Sequence, residues 1–167
     1  MKVVLASESQ SRKRALDILG LKYEVHPSAI DEQSVRDADP AALTRKLAEA
    51  KAWRVVSAVK DAVVVSGDAV VAKDGKIFEK PRDSEEAAAF LRELSDSAFQ
   101  FLTSLVVIRS DTRRLLSTVE ISQIKFRWKI TKCTTTSADI RFCAMRGLSK
   151  ARVFCASRTQ SQAATTS

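Results

Sequence analysis

Short apolar runs closed by polar turns alternate with stretches of helical period up to about Phe126. Val3-Val4-Leu5-Ala6 reads as a buried strand. The hydroxyl-rich turn Ser7-Glu8-Ser9-Gln10-Ser11 follows. From Arg12 to Leu19, the residues Ala15, Leu16 and Leu19 share one helical face, and Gly20 stands where a helix closes in left-handed backbone. Tyr23-Glu24-Val25 alternates as a second strand, and Pro27 to Glu32 is loop. Asp39-Pro40 opens a second helix with Pro in its first turn and Leu43, Leu47, Ala50 and Val55 as its apolar stripe. Ala62 to Ser66 is a β-branched strand, Gly67-Asp68 a break, and Val70-Val71 its continuation. Asp74-Gly75 carries the signature of a tight hairpin turn. Ser84 begins a third helix in a capping-box-like pattern toward Ala87, with Glu85 and Glu86 in the first turn and Phe90, Leu91 and Leu94 inward. Two further strands are predicted, Phe99 to Ile108 and Leu116 to Phe126, the second alternating through Val119, Ile121 and Ile124. Strands interleaved with helices predict an α/β fold.

From Trp128 onward this patterning stops, and Thr159 to Ser167 is a polar end. Composition sharpens the division. The net charge of +8 at first suggests a nucleic-acid partner. Residues 1–108, however, hold 16 basic and 17 acidic side chains, whereas residues 109–167 hold 12 and 3. The excess is confined to the end of the chain, where it follows composition rather than a folded basic face, so nucleic acid is not the expected partner. Cys133, Cys143 and Cys155 also lie there, at spacings that do not fit a zinc site and in an odd number that does not close a disulfide framework. No apolar run reaches the ~18–20 residues that a membrane helix needs. The opening MKVVLAS is too short for a secretory leader, so a cytoplasmic protein without a membrane partner is expected.

Candidate chemistry gathers in the turns that follow strands. Ser7, Ser9, Arg12 and Lys13 surround a helix N-terminus, where free amides, the helix dipole and a guanidinium suit a phosphate. Simple N-capping by Ser9 or Ser11 is the alternative. Asp31-Glu32 is either a pair of oxygen ligands for a divalent metal or a solvated acidic turn. Asp68 stands where open α/β sheets place ligands, at the carboxyl end of a strand. It suits metal binding or activation of water, and an Asp in a turn is the alternative. Lys51 and Lys80 are each a point charge for a triphosphate or a solvated lysine. His26, the sole histidine, reads as structural.

The order of these segments carries more than any one of them. Leu5-Ala6-Ser7-Glu8-Ser9-Gln10-Ser11-Arg12, Pro27-Ser28-Ala29-Ile30-Asp31-Glu32, Leu47-Ala48-Glu49-Ala50-Lys51-Ala52, Ser66-Gly67-Asp68-Ala69-Val70-Val71 and Asp74-Gly75-Lys76-Ile77-Phe78-Glu79-Lys80-Pro81 follow one another at fitting distances. With Leu19-Gly20-Leu21 and Leu91-Arg92-Glu93-Leu94-Ser95, the series resembles the Maf family from residue 3 to about 127. The resemblance implies an elongated mixed sheet with flanking helices, of the inosine triphosphatase-like kind and often dimeric. It implies a nucleoside triphosphate pyrophosphatase that uses Mg2+ or Mn2+ to release a monophosphate and pyrophosphate. Ser9, Arg12, Lys51 and Lys80 would then hold phosphates, and Glu32 and Asp68 the metal, with Asp68 the base for water. The family's historical name, septum formation inhibitor, implies a rival: a regulator of cell division that binds nucleotide or protein without turnover. Glu79, Ala69, Asp96 and Phe99 depart from residues common in the family, and Ala69 leaves the base preference open.

The family's continuation beyond Arg127 is missing in register, so residues 1–127 are expected to form a truncated pyrophosphatase domain and residues 128–167 an aberrant basic tail. A shifted reading frame near Trp128 is the candidate cause. One back-translation read two bases on contains Cys-His-Ala-Gly-Ala-Phe-Glu-Ser-Glu-Gly and, later, Gly-Gly-Asn-Tyr, as the family does. A chain so altered is expected to leave an apolar sheet face or edge uncovered and to turn over poorly.

Overall fold

The computed structural model describes residues 1–125 and the backbone of residues 156–160. Its elements run β1 (Lys2–Leu5), α1 (Gln10–Ile18), β2 (Tyr23–Val25), a one-turn 3-10 helix (Glu32–Ser34), α2 (Pro40–Val56), β3 (Ala62–Lys73), β4 (Lys76–Phe78), α3 (Ser84–Leu94), β5 (Ala98–Arg109), β6 (Leu115–Lys125) and β7 (Ala156–Gln160). The strands form one mixed sheet in the order β2-β1-β3-β5-β6-β7, with β4 paired to β3. Strand β1 is parallel to β2 and to β3, with Leu5 opposite Val25 and Val65, while β4 is antiparallel to β3. The predicted α/β class is what forms. The tail expected from residue 128 falls mostly outside the described residues. Strand β7 lies within it, where no patterned element was expected.

Two compact units divide the chain. Of the described residues, the first comprises 1–69, 102–120 and 159–160. In its core, Ala48, Ala52, Val55 and Val56 of α2 pack on Val4, Val64, Val106 and Ile108 of the sheet. Ala48 and Ala52 fill this contact rather than the expected Ala50, which is half-buried, because positions 48, 52, 55 and 56 recur at i, i+4, i+7 and i+8 on one helix face and position 50 falls to its side. Helix α2 starts as predicted: Pro40 is in its first turn, and the Asp39 carboxylate accepts from the amides of Ala41 and Ala42.

Helix α1 lies on the opposite face of the sheet. Its Leu16 lines an open cavity of about 320 Å³ with Leu5, Val65 and Leu105, the strand positions whose side chains alternate away from α2. Opposite faces follow from right-handed crossovers that leave β1 in one direction and return in the other. Gly20 closes α1 at φ +67° as expected, but Leu19 is exposed, so Leu16 alone is buried from the predicted stripe. Leu105 is 46% exposed and Leu116, on the same side of β6 by alternation, 63%.

Of the described residues, the second unit comprises 70–101, 121–125 and 156–158. Phe78, Leu94 and Phe99 form its core, with Phe90 edge-on to Phe78 at 5.2 Å. Asp74 and Gly75, at φ 49° and 78°, make the predicted hairpin turn. Helix α3 is capped by Asp83, whose carboxylate accepts from the Glu86 amide, and not by the expected Ser84. Glu86 instead pairs with Arg82, one turn back.

Candidate active site

The predicted break at Gly67-Asp68 is absent: β3 runs through it as a single strand. Gly67 permits this, since a Cβ there would stand 2.6 Å from the Ser104 carbonyl oxygen and 3.2 Å from Arg12 Nε. Asp68 is therefore a strand residue and not a turn residue. It is almost fully buried on the α2 side, beyond the point where β1 ends opposite Val65.

Helix α2 brings Lys51 to the same place, one turn from the core positions Leu47 and Ala48. Its Nζ lies 2.6 Å from Asp68 Oδ1 and 3.0 Å from Glu32 Oε1. Lys51 is 6% exposed, which rules out the solvated-lysine alternative. Glu32 arrives at the start of the 3-10 turn, which Asp31 caps by accepting from the Gln33 amide. The pair Asp31-Glu32 thus divides its work: Asp31 shapes the loop, and Glu32 meets the ammonium.

Arg12 extends from the first turn of α1. Its Nη1 donates to Ser7 Oγ at 3.1 Å, and that hydroxyl oxygen also accepts from the Ser9 amide at 3.2 Å. Burial pulls the Arg12 guanidinium below its ordinary pKa, while the fields of Asp68 and Glu32 oppose that shift. Arg12, Lys51, Glu32 and Asp68 therefore form an electroneutral cluster of two cations and two anions. Ser9 occupies the N-cap position of α1, yet its side chain caps nothing; its Oγ is 2.8 Å from Ser11 Oγ. With no acidic residue in the first turn either, the positive end of α1 keeps its affinity for an anion. Lys13 is half-buried, and its carbonyl accepts from the Tyr23 hydroxyl. Lys80 is exposed on the second unit, in the coil after β4. His26 is half-buried beside Glu24, 3.4 Å from Oε2.

Sequence reasoning missed Ser104. This buried hydroxyl donates to the Thr44 carbonyl at 2.8 Å and accepts from the Asp68 amide at 3.1 Å, tying α2 and β5 to the backbone of the central carboxylate. A serine at an inward position, between Leu102 and Val106, was the available signal. Replacing Ser104 by Ala leaves the Asp68 amide and Thr44 carbonyl without that partner. A loss of about 1–3 kcal/mol is expected in denaturant unfolding, and an unchanged midpoint would show these bonds to be dispensable.

A family profile described as Maf-like protein matches residues 2–138. The chain belongs to the Maf family. The match extends past residue 127, where the resemblance was expected to end. A dTTP/UTP pyrophosphatase of Pyrococcus furiosus is 34% identical over 130 residues, 75% of this chain and 65% of the relative. A dTTP/UTP pyrophosphatase of Bacillus pumilus is 39% identical over 112 residues, 67% of this chain and 59% of the relative. The chain thus spans less than two thirds of the length of these Maf relatives. Among solved structures, the Ham1 protein of Staphylococcus aureus superposes with a TM-score of 0.47 at 13% identity, covering 75% of this chain and 71% of that one.

Among the described residues, no group of three or more His, Cys, Asp or Glu side chains gathers as a metal cage. Mg2+ and Mn2+ in nucleotide enzymes do not need one: one or two carboxylates suffice, with water and substrate phosphates completing the shell. Glu32 and Asp68 already turn one oxygen each toward a single cation, the Lys51 ammonium. These two hard oxygen donors fit such an ion.

Proposed function

We propose that this Maf protein is a nucleoside triphosphate pyrophosphatase. The observation that carries the reading is the neutral cluster of Arg12, Lys51, Glu32 and Asp68 beside an uncapped helix N-terminus. The names of the relatives support it and favour pyrimidine nucleotides among the substrates to test.

The chemistry follows from the charges. Arg12 and the amides of α1 bind and orient the triphosphate, and Lys51 adds a point charge on a flexible stem. Ser7 holds Arg12 in place, and Ser9 offers a hydroxyl to the phosphates. Asp68 accepts a proton from a water whose oxygen attacks the α-phosphorus. The bond from that phosphorus to the oxygen bridging it to the β-phosphorus breaks, and pyrophosphate leaves. Glu32 and Asp68 would hold a divalent ion, which would add charge neutralisation to that of Arg12 and Lys51. Such a reaction depends on positioning and neutralisation more than on covalent help. The phosphate role of Lys80 rests on its motif, Glu79-Lys80-Pro81. A homodimer is proposed on the resemblance alone.

A low rate is expected from this 167-residue chain, given the exposed Leu105 and Leu116. The test is a nucleotide panel with Mg2+ or Mn2+, run on this chain and on a version with the frame restored from codon 128. Pyrophosphate release by the restored chain, well above that of this one, is expected. Equal and rapid release by both would overturn the impairment; silence from both would overturn the pyrophosphatase reading. The cell-division regulator remains the second reading, and no feature of the site favours it over catalysis.

A further inference from the structure

The Lys51 ammonium occupies the point on which Glu32 and Asp68 converge, at 3.0 and 2.6 Å. That point is also where the two carboxylates would share a divalent ion. We propose that Lys51 is an internal stand-in for that ion, and that it gives up the two carboxylates only when a triphosphate takes its charge. The inference rests on the pyrophosphatase reading and adds an order of events to it: the ion enters with the nucleotide, not before it.

Charge and burial both argue for this. The cluster is already neutral, so an added divalent ion brings two uncompensated positive charges beside Arg12 and Lys51. It also competes with the ammonium for the same oxygens. If the ion wins in the absence of nucleotide, Lys51 is left at 6% exposure without an anion, an expensive state for an ammonium. Arg12 cannot relieve that, being cationic itself and tied to Ser7. A triphosphate changes the balance. It supplies oxygens for the displaced Lys51 and offsets the charge of the ion. The four-carbon stem of lysine allows the ammonium to move between partners while the helix stays in place. Metal and nucleotide then bind with positive coupling, and by thermodynamic linkage each strengthens the other by the same factor.

Calorimetry on the full chain tests this without turnover. The probes are Mn2+ alone, a uridine triphosphate analogue with a methylene bridge between the α- and β-phosphorus alone, and each in the presence of the other. Weak Mn2+ binding by the free protein, tightened roughly tenfold or more by the analogue with a reciprocal gain for the analogue, is the expected result. Equal Mn2+ affinity with and without the analogue would overturn the exchange while leaving the site reading intact. Failure of the analogue to bind under any condition would overturn the site reading and the exchange together. In Lys51→Met the competitor is gone, and Mn2+ should bind the nucleotide-free protein more tightly than it binds the parent. Unchanged or weaker Mn2+ binding by that variant would remove Lys51 from the role.

Discussion

Asp68→Asn is expected to lower nucleotide hydrolysis by roughly 10²–10⁴-fold, the range associated with loss of a positioned base. The amide keeps the size and hydrogen-bonding reach of the carboxylate but neither its basicity nor its charge. The Asp68 backbone amide would still donate to Ser104 Oγ, so the strand should remain in place. Binding of the non-hydrolysable analogue is expected to survive in the variant, because Arg12 and the N-terminus of α1 are untouched. The paired measurement separates the two readings of the protein. An enzyme loses pyrophosphate release and keeps analogue binding. A regulator that acts by binding alone would show no release in the parent and no change in the variant. Hydrolysis of Asp68→Asn at the parental rate would remove Asp68 from the chemistry.

Lys51→Met should have the largest effect on stability. The substitution preserves most of the volume packed beside Leu47 and Ala52 while deleting the cation between two carboxylates. Breaking a buried ion pair from one side costs about 3–5 kcal/mol, since the remaining charge is left without a partner. The low end, about 3 kcal/mol, is expected here because the Glu32 side chain is 43% exposed and water can solvate it, whereas that of Asp68 is 11% exposed. Denaturant unfolding in the presence of a chelator reads this directly. Adding Mn2+ should restore part of the loss by placing a cation between the same oxygens. A variant as stable as the parent without metal would mean that water or Arg12 compensates the carboxylates, and the ammonium would then be a weaker element of the fold than its burial implies.

Local structure was legible in the chain, and so were the charged residues that meet in the cluster; their arrangement was not. Helix starts, the Asp74-Gly75 turn and the strand runs depend on neighbours a few residues apart, and these came out close to where the pattern put them. The exceptions are instructive. Gly67-Asp68 looked like a break because Gly and Asp are turn residues, but the approach of the Ser104 carbonyl makes Gly the residue that lets a strand pass. Ser84 looked like a cap, and Asp83, one residue earlier, was the better acceptor. Strand β7 falls in a stretch where the sequence shows no alternating apolar pattern.

The sequence by itself determined the class of fold and the kinship with Maf proteins, and it named the residues proposed here for phosphate and metal, since these lie in short segments in a fixed order. Tertiary structure alone decided that Lys51 is buried and not solvated, that it sits between Glu32 and Asp68, and that Ser104 anchors the backbone of Asp68. Those contacts join residues 17, 19 and 36 positions apart in the chain. No periodicity or turn chemistry spans such separations. The parallel pairing of β1 and β3 and the packing of α2 against them bring the three segments to one point, and a charge acquires its meaning there from what surrounds it.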